Sequence, residues 1–330
     1  MGWYNNKVVI RNPDPASHYL LEPSNRLSFL SNWDGPNYLM IAKSGYNAVV
    51  QTNFFPLYPL AIHVVNFFVS SELDSALIIS WLCLFGAIYF YLKIAKSLFK
   101  ITDNLEALRS LIFFVFFPTA VFLLATYTES MFAFLSLGAI YFALKNRYLA
   151  AGLFALFCSA THINGIFVVL LIGLILFEQK QSIQRVITSM LIGSIGLLSY
   201  MYYLAVHFSK PFAFISSQKS HGWFKGSYLD IFNSVDLFNI IFMLLLVVSV
   251  IYWWKRRKSF AIYSFLFICI PILGKQFGGF NRYVLMAFPL QFMLYEYLRN
   301  KKVAYSLATI LLGITWAYFL FQYAGGYVGG

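Results

Sequence analysis

Charge is what this chain has least of: 11% of its 330 residues are Asp, Glu, Lys or Arg, and only 12 are acidic. Soluble domains carry about 25% charged residues, so that class is excluded. Paired carboxylates at ligand spacing are missing. Glu72 and Asp74 come nearest, and they read as a helix start, where negative charge suits the dipole. Three cysteines, Cys83, Cys158 and Cys269, lie apart in apolar runs. They form no metal motif, read as small core residues, and leave the redox compartment open. No metal is therefore expected. The N-terminus shows no cleavable signal, and Asn6 stands where a myristoylation start needs Ser or Thr. Internal repeats are absent. So is the alternating polarity, over about ten residues per strand, that a membrane β-barrel requires.

Hydrocarbon is abundant instead: 60% of residues are hydrophobic and 20% aromatic. Apolar runs approaching the roughly 20 residues that span a bilayer recur from residue 75 onward. Spans are expected at about 75–99, 108–125, 129–145, 148–160 with 163–177, 186–208, 236–254, 259–274, 283–298 and 303–323. The net charge of +12 suggests nucleic acid at first sight. The excess, however, sits in short clusters between the apolar runs: Lys93, Lys96, Lys100 and Arg109; Lys145 and Arg147; Lys255 to Lys258; Arg299, Lys301 and Lys302. That is the positive-inside pattern of cytoplasmic loops, so no nucleic-acid partner is expected and the partner surface is the bilayer. Residues 56–70, interrupted by Pro59 and His63, are expected to lie along the surface or to dip in and return. Asp34, Glu129, His221, Lys275 and Arg282 then share the external face. This scheme also calls for a helix before residue 1.

The least apolar part of the chain is its start, and one stretch there stands out: Asn32-Trp33-Asp34-Gly35-Pro36-Asn37-Tyr38, followed by Gly45-Tyr46 and Phe54-Phe55-Pro56-Leu57-Tyr58-Pro59. Gly35-Pro36 is read as a backbone break after a lone carboxylate, among rings that settle at a membrane boundary. Tyr127-Thr128-Glu129-Ser130 and Asn281-Arg282-Tyr283 with Phe288-Pro289 add two further polar motifs. Pro211-Phe212-Ala213-Phe214, Gln218 and Gly222-Trp223 form a looser one. Taken in order, these motifs resemble the PIG-V-like mannosyltransferases of the GT-C group, over residues 30 to 325. Two features depart from that pattern. The usual first helix is missing, and His162 stands where an arginine is expected.

The resemblance implies an all-α polytopic membrane protein, a GT-C-type bundle of about nine to ten transmembrane or re-entrant helices. Residues 1–330 form one domain, with 1–74 an external loop carrying the catalytic motif on interfacial helices and 75–330 the transmembrane part. It implies transfer of a sugar, usually mannose, from a polyprenyl (dolichyl-type) phosphate donor, with inversion, to a lipid-linked glycan or similar acceptor on the non-cytoplasmic face. No other cofactor is implied. Asp34 matches the catalytic carboxylate of the first external loop, and a base on the acceptor hydroxyl is what an inverting transfer needs. Arg282, with Lys275 and His221, is assigned to the donor phosphate, since an arginine can clamp phosphate with paired donors. Glu129, Trp33, Tyr38, Tyr127, Gln218, Trp223 and His162 are assigned to acceptor or sugar. Phe54 to Pro59 would shape a groove for the isoprenoid. Each has a plainer reading beside it. Asp34 can be a turn residue, Glu129 a first-turn acid, Arg282 a snorkelling boundary arginine, and His162 with Asn164 a helix–helix hydrogen bond. The rival for the whole chain is a lipid-linked-sugar flippase or transporter. It should show midplane charges in broken helices and an internal repeat, whereas the polar motifs here gather on one face.

Overall fold

A chain so poor in charge can satisfy its backbone in a bilayer only by forming helices or a closed barrel. The computed structural model, which describes residues 27–220, 235–275 and 277–325, is helical, with no strand among those residues. Four helices are long and apolar enough to cross a membrane: α3 (Glu72–Phe99), α8 (Ile183–Phe208), α10 (Leu237–Trp254) and α14 (Lys302–Ala324). Shorter apolar helices fill the spaces between them: α2 (Leu57–Val69), α5 (Glu129–Leu144), α6 (Tyr148–Thr161), α7 (Gly165–Glu178) and α11 (Lys258–Gly274). The remaining helices are α1 (Gly35–Ser44), α4 (Asn104–Val115), α9 (Ala213–Ser220), α12 (Phe280–Val284) and α13 (Phe288–Leu298). The chain is an integral membrane protein by this architecture.

Three expectations change. Gly35-Pro36 does not break the backbone; it opens α1, with Pro36 in the first turn, where its missing N–H is not needed. The span expected at 108–125 ends at Val115, and after Pro118 the chain makes only a short 3-10 turn, Ala120–Leu123. Proline cannot donate the hydrogen bond that would continue the helix. The span expected at 283–298 is divided as well, into α12 and α13, with Pro289 in the first turn of α13. The two breaks meet, for the Thr119 hydroxyl donates to the Asn281 carbonyl at 3.0 Å.

Helix α2 folds back along the first turns of α3. Tyr58 bonds the Ala76 carbonyl and Ser80 at 3.1 and 2.8 Å. Its other face, with Leu60, Val64, Phe67 and Phe68, is exposed. At one end of the bundle the basic clusters meet. Lys96 bonds Asn104, and Arg109 reaches the Arg299 carbonyl. Glu178, at the end of α7, caps α11 through the Ser259 N–H and hydroxyl, at 2.6 and 2.7 Å, with Arg257 3.7 Å away. The polar motifs lie at the opposite end.

Between lipid-soluble helices the driving force is close packing rather than exclusion of water. Helices α6 and α8 meet at the backbone. Ser159 donates to the Gly193 carbonyl at 2.7 Å, and a side chain at Gly196 would stand 2.0 Å from the Leu156 carbonyl oxygen. That atom is backbone and cannot swing aside. Gly196→Val should therefore cost about 1–3 kcal/mol or more and lower the thermal midpoint in detergent by several degrees. Gly313→Ala, in a helix interior where nothing lies within 4 Å, should hold or slightly raise the midpoint.

Candidate functional site

The site is built on the turn that precedes α1. Residues 28–31 make one short 3-10 turn and 32–34 are irregular, so most polar groups of this stretch need partners from elsewhere. Segment 126–127 supplies several. The Thr126 N–H donates to the Leu30 carbonyl at 2.9 Å, and its hydroxyl to Ser31 at 2.8 Å. Tyr127 donates its hydroxyl proton to the Asn32 carbonyl at 3.0 Å and accepts from the Asp34 N–H at 3.1 Å. The end of α14 supplies the rest: the Tyr323 hydroxyl donates to the Leu30 carbonyl at 3.0 Å, and the Tyr323 backbone carbonyl accepts from the Asn32 side-chain amide at 3.1 Å. Gly35 permits the approach, because a Cβ there would lie 2.4 Å from the Thr126 hydroxyl. Trp33 has φ of 62°, a left-handed conformation that costs a bulky residue about 1–3 kcal/mol. Its ring packs on the cluster of Val121, Phe122, Tyr127 and Tyr323 that holds this backbone in place.

This turn presents Asp34 to Arg282 of α12. Arg282 Nη1 donates to Asp34 Oδ2 at 2.7 Å. Its Nε lies 2.9 Å from Glu129 Oε1, an ion pair without the alignment of a hydrogen bond. The guanidinium is 9% exposed, Glu129 5% and Asp34 29%, so Asp34 is the open acid of the pair. The carbon of the guanidinium sits 5.2 Å from the Tyr127 ring centre and 5.3 Å from that of Tyr283, on faces that attract cations. Burial works against the charge on Arg282, and the Glu129 and Asp34 carboxylates outweigh it, so its pKa rises and the guanidinium stays protonated.

Beside Glu129 is a small cavity of about 10 Å³ lined by Thr128, Glu129, His162, Asn164 and Tyr283. His162, between α6 and α7, accepts the Asn164 N–H at Nδ1, at 3.1 Å. Burial, helped by Arg282, pushes its pKa down to about 3, so the ring is neutral. About 10 Å further along α1 than Asp34, at the helical rise, an apolar groove of about 590 Å³ opens between α1, α2, α6 and α8. Pro56, Leu57 and Pro59 line it, whereas Phe54, Phe55 and Tyr58 of the same motif are buried in the core.

Asp34, Tyr127 with Glu129, His162 and Arg282 are thus brought together from four separate segments. Tyr38, one turn past Asp34, is buried beneath them against Phe54 and Tyr58. Lys275 ends α11 in a left-handed conformation, on the connection that leads to Arg282. Gln218 lies on α9, which packs on the Val49–Asn53 turn. His221 and Trp223 lie outside the described residues. Ser31, Thr126 and Tyr323 belong to the site and carry no motif signal, and Asn32, which opens the motif stretch, had no role assigned to it; Tyr323 is one aromatic among many in an apolar helix. No cluster of three or more His, Cys, Asp or Glu side chains suited to a metal occurs among the described residues.

Comparison with known proteins bears on this arrangement. The model of the family described as Mannosyltransferase (PIG-V) matches residues 21–188, just over half the chain and including Asp34, Glu129 and His162. A GPI mannosyltransferase 2 from Drosophila pseudoobscura pseudoobscura is 30% identical over 120 residues, 33% of this chain and 26% of the relative. One from Drosophila melanogaster is 26% identical over 202 residues, 54% of this chain and 44% of the relative. The GPI alpha-1,6-mannosyltransferase 2 of Rattus norvegicus is 27% identical over 206 residues, 57% of this chain and 39% of the relative. The chain spans less than half the length of these curated relatives. With more than half of its residues matched to the family model and the motif acids inside the match, the chain belongs to the PIG-V mannosyltransferase family.

Proposed function

We propose that the protein is a membrane mannosyltransferase of GT-C type. It moves a mannose from a polyprenyl-phosphate donor to a hydroxyl of a lipid-linked glycan on the non-cytoplasmic face, with inversion. The observation that carries this reading is the Asp34–Arg282–Glu129 cluster, in which one open carboxylate is held by a buried cation. The names of the relatives support mannose and a lipid-anchored acceptor. The basic clusters at the far end of the bundle support the external face.

In this mechanism Asp34 takes the proton from the acceptor hydroxyl as its oxygen bonds the anomeric carbon. The bond from that carbon to the phosphate oxygen breaks on the opposite side, and polyprenyl phosphate leaves with its electron pair. Arg282 fixes the direction of Asp34. The cluster sums to −1 with both carboxylates ionised and to zero with one of them protonated, so in either state Arg282 alone offers the departing phosphate no surplus positive charge. Lys275, on the same connection, is the further cation assigned to that phosphate, with His221 as a hydrogen-bonding group. The apolar groove takes the isoprenoid chain, as its Pro56–Pro59 lining and its opening toward exposed α2 suit.

Asp34→Asn should fold, bind donor and lose transfer by roughly 10²–10⁴-fold, the range of a lost general base, measured with radiolabelled polyprenyl-phosphate mannose. Wild-type turnover by that variant would remove the base. Arg282→Lys keeps the charge but cannot bridge both acids, and kcat should fall about 10²-fold through misplacement of Asp34. Lysine is the informative change, because an alanine would leave Glu129 buried without a counter-charge. Leu60→Trp, at an exposed position lining the groove, should raise the donor KM several-fold with kcat unchanged. An unaltered KM would place the isoprenoid elsewhere.

A further inference from the structure

The cavity beside Glu129 contains two complementary groups that the catalytic cluster does not use. Glu129 Oε2 is buried and has no hydrogen-bond partner; only Oε1 of that carboxylate faces Arg282. His162 has its Nδ1 occupied as an acceptor by the Asn164 N–H. A ring nitrogen that accepts a hydrogen bond carries no proton, so the single proton of the neutral ring is on Nε2, which makes it a donor. Its depressed pKa keeps it in that form throughout the neutral range. The His162 ring is held by Phe55, Phe132 and Tyr283, at centroid distances of 6.4, 6.0 and 5.5 Å, so its direction is set. The cavity that both residues line, about 10 Å³, has room for one oxygen atom's worth of guest, such as a water.

A group that accepts from an N–H and at the same time donates to a carboxylate is a hydroxyl. Glu129 and Asp34 grip the same guanidinium, so this notch lies within one arginine head of the base. We propose that the notch is a single-hydroxyl subsite for the hexose being transferred, with His162 Nε2–H donating to that hydroxyl and Glu129 Oε2 accepting from it. The subsite rests on the mannosyltransferase reading and deepens it, since it makes His162 and Glu129 the pair that reads one ring position of the donor sugar. A sugar with no hydroxyl at that position, or with its epimer, leaves a buried acceptor unpaired, which is how hydrogen-bonding sites reject analogues.

The test is equilibrium binding of polyprenyl-phosphate mannose and its monodeoxy analogues to the full chain in nanodiscs, with transfer measured in parallel. The wild type should bind one monodeoxy donor roughly 10- to 100-fold more weakly than the parent, the range of a lost buried hydrogen bond. His162→Phe should bind the parent as weakly as that analogue, with the discrimination gone. His162→Gln, whose amide can donate from a similar place, should restore part of it. If the Phe variant does not fold, His162→Gln carries the comparison, and discrimination by that variant equal to the wild type's would overturn the role of His162. Donor binding with no discrimination at any ring position would overturn the subsite and leave the transferase reading intact. Discrimination among deoxy acceptors instead of donors would overturn the assignment to the transferred sugar. Failure of the wild type to bind or use any polyprenyl-phosphate hexose would sink the transferase reading and the subsite with it.

Discussion

One buried guanidinium sets the conditions for everything around it. Arg282 is almost sealed from solvent, and a lone charge in that position would cost several kcal/mol. Asp34 and Glu129 offset that cost, and in doing so they tie α12, α1 and α5 to one point. Each of the three depends on the others. Without Arg282, Glu129 is a buried anion with no counter-charge. Without Glu129, the cation has only the half-open Asp34. This mutual dependence makes the position of the Asp34 carboxylate a property of the whole bundle rather than of its own loop.

The long helices and the interrupted ones divide the work. Helices α3, α8, α10 and α14 satisfy their backbones internally and need nothing from their surroundings beyond packing. The polar chemistry lies where helices stop: before α1, between α4 and α5, between α6 and α7, and between α11 and α13. Irregular backbone at that depth is tolerated only where protein groups complete its hydrogen bonds. Here Tyr127, Tyr323, Thr126 and Thr119 do so. The aromatic hydroxyls are suited to this, since each ring sits in the apolar core while its single polar atom reaches a carbonyl.

Much of this was legible in the linear chain. The apolar runs marked the helical segments because length and hydropathy are local properties. The scarcity of acids drew attention to Asp34 and Glu129, and the clustered lysines and arginines separated one end of the bundle from the other. Other features were not legible. Gly35-Pro36 reads equally as a turn or a helix start, and only the neighbouring hydroxyls of Thr126 and Ser31 show why glycine stands there. Pro118 lay inside an apolar run whose average hydropathy hides a break. Tyr323 had no distinguishing neighbour at all, and its role comes from where α14 ends.

The sequence by itself determined the solvent, the helical class and the few residues able to carry charge. These follow from composition and from periodicities shorter than one helix. Tertiary structure alone decided that Arg282 faces two carboxylates at once, that His162 is a neutral donor beside an unpaired oxygen, and that Pro56 lines a groove while Phe55 is buried. Those relations join residues up to 248 positions apart, as Asp34 and Arg282 are. No local pattern records a distance across a bundle; it exists only once the helices have packed.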